Sequence, residues 1–126
     1  MENLLKILII EDDLNFLSIL RQAFEENNFK VAFARDGVEG LSLVQQENPD
    51  LILLDILMPK MNGIETAKKI KELNIKTPII FLTNLGDISS INKAMDSVNF
   101  DLDYMIKTDV HIDQIIARVR EKLVIK

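Results

Sequence analysis

Glu11, Asp12 and Asp13 follow one short apolar run, Asp55 follows a second, Thr83 a third and Lys107 a fourth. Three kinds of group thereby recur at the ends of apolar segments: carboxylates, a hydroxyl and an ammonium. Two carboxylates about 5 Å apart repel by roughly 3 kcal/mol at an effective dielectric near 20, so a cluster of Glu11, Asp12 and Asp55 needs a cation. Carboxylate oxygens without His or Cys nearby suit a hard ion. Mg²⁺, which keeps several waters and bridges to phosphate, fits best. Lys107 adds a mobile positive charge and Thr83 a hydroxyl donor, a set better suited to a phosphoryl group than to a bare metal. A carboxylate can attack phosphorus to give an acyl phosphate, and Asp55 is the central candidate. Catalysis would then be positioning and electrostatics, with the metal and Lys107 offsetting charge on the transferring oxygens. Any one of these residues alone reads as a turn residue at a strand end. That reading does not explain why Asp55 directly follows the most apolar run or why a lysine closes the last one.

The elements that must position these groups are legible as periodicity. Leu5 to Ile10, Val31 to Ala34, Leu51 to Leu54, Ile79 to Leu82 and Leu102 to Ile106 read as strands, being brief and bounded by Asp, Asn, Pro or Lys. Three are apolar on nearly every residue, as expected of parallel strands covered on both faces. Helical spacing links Leu17, Leu20 and Phe24; Val38, Leu41 and Val44; Ile64, Ala67, Ile70 and Leu73; Ile88, Ile91, Ala94, Met95 and Val98; and Ile112, Ile115, Ile116, Val119 and Leu123. Asp36 and Asp87 are expected N-caps, and Pro49 and Pro78 are expected to end the preceding helices. Strict alternation with right-handed crossovers predicts an α/β doubly wound (βα)5 sandwich, in which ligands sit outside the carboxyl ends of the strands.

Composition narrows the functional classes. The 126 residues are 48% apolar and 28% charged, the balance of one ordinary globular domain. The absence of cysteine excludes disulfides, a thiol nucleophile and Cys-ligated metals. Twenty acids against fifteen bases give a net charge of −5, which argues against direct nucleic-acid binding. Lys68, Lys69 and Lys71, at helical spacing, read as a solvated face. No apolar run is long enough to cross a bilayer, and Lys6 and the acids after Ile10 break any signal-peptide pattern, so a cytoplasmic protein is expected. His111, the sole histidine, reads as a helix-start residue, and Met58 and Met61 as packing residues.

In this order the segments Ile7 to Asp13, Asp50 to Pro59 with Gly63, Pro78 to Thr83, and Asp103 to Lys107 resemble the receiver domain of bacterial two-component response regulators, over essentially the whole chain. The resemblance implies a flavodoxin-like parallel sheet in order 2-1-3-4-5. It implies that Asp55 is the phosphorylated aspartate. Asp12, Asp55 and the Leu57 carbonyl would ligate Mg²⁺, with Glu11 acting mainly through metal-bound water. Thr83 and Lys107 would grip the phosphoryl oxygens, and Tyr104 would be the switch aromatic. The implied phosphodonor is a histidine kinase or phosphotransfer protein. The implied output is a protein target on the face of the fourth helix, fifth strand and fifth helix, from a monomer or phosphorylation-dependent dimer. Residues 1–126 are expected to form one receiver domain with no output domain, acting through self-catalysed transfer and autodephosphorylation and not as an enzyme on other substrates.

Three positions depart from the family pattern. Thr108 follows Lys107 where proline is usual, Asn84 follows Thr83 where a small residue is usual, and the Gly-Ala turn usual before the fifth strand is missing. Rival readings are a degenerate receiver serving only as a binding module and an aspartate-nucleophile phosphatase. The latter wants an aspartate where Leu57 stands. Nucleotide-binding glycine loops are missing, and a flavin module has only the fold to recommend it.

Overall fold

The computed structural model describes residues 4–58, 60–84 and 103–123. Five strands, β1 (Lys6–Ile10), β2 (Lys30–Ala34), β3 (Leu51–Asp55), β4 (Ile79–Thr83) and β5 (Tyr104–Ile106), form one sheet in the order β2-β1-β3-β4-β5, and every pairing is parallel. The described helices are α1 (Leu14–Glu26), α2 (Gly37–Glu47), α3 (Gly63–Glu72) and α4 (Ile112–Lys122). The helix expected around Ile88 to Val98 and its Asp87 cap lie outside the described residues, so α4 is the fifth helix of the sequence pattern.

The continuous apolar runs are explained by two cores. Side chains alternate across a strand. Ile7 and Ile9 of β1, Leu53 of β3 and Ile80 and Leu82 of β4 therefore pack with Leu17, Leu20 and Phe24 of α1 and Ile115, Ile116 and Val119 of α4. The intervening Leu8, Ile10, Ile52, Leu54, Ile79 and Phe81 pack with Val44 of α2 and Ala67 and Ile70 of α3. Every residue of β3 and β4 is buried.

Two stripe residues lie elsewhere than periodicity predicts. Val38 is 52% exposed and Leu73 is 48% exposed. In α2 the inward face is carried by Gly37 and Gly40, where an added Cβ would run into the Thr66 side chain and Ile10 respectively. Leu73 is the C-cap of α3 and has already left the stripe.

Caps set where the helices begin. Asp13 accepts from the amides of Asn15 and Phe16 at 3.0 and 3.2 Å, Asp36 from Glu39 at 2.8 Å, and Asn62 from Glu65 at 2.9 Å. The His111 amide donates to Gln114 Oε1 at 2.7 Å, which accounts for the lone histidine as a helix-start residue. The turns after α1, α2 and α3 use left-handed asparagines, Asn28 (φ 68°), Asn48 (φ 50°) and Asn74 (φ 62°), so α2 stops at Asn48, one residue before Pro49.

Glycine does a different job at Gly63, the first residue of α3. A Cβ there would collide with the Asp55 carbonyl oxygen, and the Gly63 amide donates to the Ile56 carbonyl at 2.8 Å. The start of α3 is thus pressed onto the backbone that carries Asp55. Gly63→Ala is expected to cost about 1–3 kcal/mol of stability, from the backbone shift that overpacking forces, measured by urea denaturation.

Among the described residues, no helix is long and apolar enough to cross a membrane.

Candidate functional site

The candidate site stands where β1, β3, β4 and β5 end together. Asp55 is the last residue of β3 and Thr83 the last of β4. Glu11 extends the β1 ladder by one bond, its amide donating to the Ala34 carbonyl at 3.0 Å, and the Lys107 amide donates to the Thr83 carbonyl at 2.8 Å. Parallel pairing in register therefore delivers four distant stretches of sequence to one edge.

Charge dominates their arrangement. Glu11, Asp55 and Thr83 are buried, whereas Asp12 is exposed. Lys107 Nζ lies 2.7 Å from Glu11 Oε1 and 3.2 Å from Asp55 Oδ1. The first contact is the shorter of the two, a close ion pair with a buried carboxylate oxygen. Glu11 Oε2 accepts from the Asp13 amide at 3.1 Å. Asp13 itself is committed to capping α1, which removes it from the trio of acids as a ligand. Oxygens of Glu11, Asp12 and Asp55 lie within 4.8 Å of one another. That all-oxygen donor set fits a hard divalent cation.

The same crowding perturbs ionisation. Burial, then the neighbouring Glu11 charge, pushes the Asp55 carboxyl from its ordinary 3.8 up to about 8, with Lys107 opposing. Burial works against the Lys107 charge, but Glu11 and Asp55 outweigh it and raise its pKa. An unfolded chain ionises Asp55 near pH 4, whereas the folded protein without metal holds the proton to about pH 8. The folded state binds more protons between those values, so stability falls as pH rises through this window. Urea midpoints in EDTA are expected to drop between pH 5 and pH 8.5. A slope unchanged by Asp55→Asn would assign the effect to another group.

The other expected positions fall around this cluster. Thr83 Oγ1 donates to the Asn84 carbonyl at 3.2 Å, and Asn84 is exposed. Tyr104, opposite Phe81 in the β4–β5 register, is half-buried against the α2–α3 side of the sheet. Leu57, in the β3–α3 loop, is 57% exposed. The Lys107–Thr108 peptide bond is trans.

Two features escaped sequence reasoning. The Phe16 ring lies 5.1 Å from Lys107 Nζ, measured to its centroid. Its position four residues beyond Asp12, in the first turn of a helix entering from the site, was the available signal. At the start of β5, buried Asp103 pairs with Arg118 at 2.6 Å and Lys122 at 3.2 Å, tying the strand to α4. The i, i+4 spacing of the two cations was visible, but their partner was not.

The family model for the response regulator receiver domain matches residues 7–120. Among curated proteins, the response regulator MprA of Mycobacterium sp. (strain KMS) is 29% identical over 118 residues, covering 94% of this chain and 50% of MprA. The chain thus spans about half the length of the curated relatives it matches. Among solved structures, the receiver domain of the Francisella response regulator 1452 is 34% identical with a TM-score of 0.82, covering 94% of this chain and 95% of that one. A response regulator receiver domain protein from Methanospirillum hungatei JF-1 is 28% identical with a TM-score of 0.85, covering 96% and 94%. Since the match runs from the first residues of β1 almost to the end of α4, the chain belongs to the response regulator receiver domain family.

Proposed function

We propose that this receiver acts as a phosphorylation-activated switch in two-component signalling, with Asp55 as the phosphoacceptor. The observation that carries the proposal is a buried carboxylate at the end of a central strand, within 3.2 Å of a lysine ammonium and crowded by a second buried acid. An Asp55 Oδ atom attacks phosphorus, the bond from phosphorus to the donor's nitrogen or oxygen breaks, and the leaving group departs with the electron pair. Hydrolysis of the acyl phosphate later returns the carboxylate and inorganic phosphate.

Asp12, Asp55 and the Leu57 carbonyl would hold Mg²⁺, with Glu11 supporting the site from the β1 end. When bound, Mg²⁺ would supply positive charge to the transferring oxygens. Lys107 exchanges its carboxylate partners for phosphoryl oxygens, and Thr83 offers its hydroxyl from the end of β4. The phosphoryl group adds nearly two charges and three acceptors, drawing Thr83 and Lys107 inward and biasing β5, Tyr104 and α4. The donor would be a histidine kinase or phosphotransfer protein in the cytoplasm, and the output another protein meeting that face.

The deciding experiment is intact-mass spectrometry after incubation with phosphoramidate or acetyl phosphate. One added phosphoryl group that requires Mg²⁺ is the expected result. An unmodified chain would overturn the switch reading.

A further inference from the structure

We infer that Phe16 is a positioning residue for Lys107, an aromatic wall that holds the ammonium beside Asp55 and steadies it as its partners change. The inference rests on the switch proposed above. An ammonium within about 6 Å of a ring centroid is attracted by the ring's negative face, most strongly when partly desolvated. Lys107 Nζ meets both conditions, at 5.1 Å from the Phe16 centroid and with its side chain only 17% exposed.

The ring is held by the same residues that hold the charge. Asp13 accepts the Phe16 amide at 3.2 Å, while the Asp13 amide donates to Glu11 Oε2 at 3.1 Å. Glu11 Oε1 in turn faces Lys107 Nζ at 2.7 Å. Glu11, Asp13, Phe16 and Lys107 therefore close a circuit in which the α1 cap fixes the ring relative to the acid.

An aromatic face suits this task because its pull has little directional demand. A carboxylate or hydroxyl at this place would compete with the phosphoryl oxygens for Nζ protons, whereas the ring can keep its contact while those protons turn from Glu11 and Asp55 to the incoming group. An aliphatic side chain of similar size would fill the space without that attraction.

The test combines a double-mutant cycle with a spectroscopic readout on the metal-free protein. Phe16→Leu is expected to slow Mg²⁺-dependent phosphorylation of Asp55 by phosphoramidate about three- to tenfold, Phe16→Tyr to restore it, and Phe16→Leu to add nothing in a Lys107→Met background. In the metal-free protein, the Lys107 ε-methylene protons are expected upfield from the ring current and to lose that shift in Phe16→Leu. Equal slowing in both Lys107 backgrounds, or ε-proton shifts indifferent to Phe16→Leu, would overturn the inference. A wild-type chain that gains no phosphoryl mass would defeat the switch reading instead, while the metal-free spectra would still decide whether Phe16 positions Lys107.

Discussion

Asp55→Asn is expected to take up no phosphoryl group from phosphoramidate in Mg²⁺ and, in EDTA at pH 8.5, to resist urea better than the parent chain. Both outcomes have one cause. The carboxyl that would serve as nucleophile is also a poorly solvated charge, buried beside Glu11 and held protonated to about pH 8. An amide of nearly the same shape removes the nucleophile and the repulsion together. Roughly 3 kcal/mol of acid–acid repulsion disappears, part of it offset by the lost attraction to Lys107, leaving a net gain of about 1–2 kcal/mol. A phosphorylated Asp55→Asn chain would refute the assignment of the acceptor. A variant less stable than the parent at pH 8.5 would mean that Lys107 outweighs Glu11 at this carboxyl.

Lys107→Met should move stability the other way. It keeps the apolar stem but strips the cation that lies 2.7 Å from Glu11 and 3.2 Å from Asp55. Removing one partner of a buried ionic cluster costs about 3–5 kcal/mol, and at pH 8.5, where Asp55 of the parent chain is largely ionised, proton uptake by Asp55 holds the expected loss near 3 kcal/mol in EDTA. Mg²⁺ is expected to recover a larger share of stability in this variant than in the parent chain, since it supplies the missing charge. Phosphorylation should slow by at least tenfold even at saturating Mg²⁺, because the ammonium beside Asp55 Oδ1 is lost and a cation held by the acids would not take its place. Thermal melts with and without Mg²⁺, paired with mass-monitored phosphorylation, measure both effects. A variant as stable as the parent in EDTA would show that the acids are solvated well enough without Lys107.

What the sequence disclosed and what it withheld follow a physical division. Strands β1, β3 and β4 announce themselves because burial on both faces demands apolar residues at every position, and the residue ending each run is then easily seen. Glu11, Asp55 and Thr83 were found in that way. Periodicity also identified the described helices but misplaced Val38 and Leu73, because a glycine face or a helix end can replace a large apolar side chain. Contacts between distant segments were the least legible. Nothing in the spelling of Phe16 or Asp103 says that one meets Lys107 and the other Arg118, since those pairings exist only once the sheet order is set. Asp13 shows the same limit from the other side. Its type matched the neighbouring acids, yet local geometry assigns it to the α1 cap.

The strand order has a consequence for the time at which the charges come into balance. Glu11 and Asp55 are brought together by the β1–β3 pairing, in which Ile7 faces Leu51. Lys107 arrives with β5, a three-residue strand at the sheet edge and the last of the five to leave the ribosome. A nascent chain that has formed the first four strands therefore holds two crowded acids without Lys107. Its solvent must supply protons or Mg²⁺ until the edge strand docks. The same edge can detach in the finished protein at less cost than the central strands. Each such excursion would remove the cation while leaving the acids in place, making the charge state of the site a reporter of whether β5 and α4 are seated.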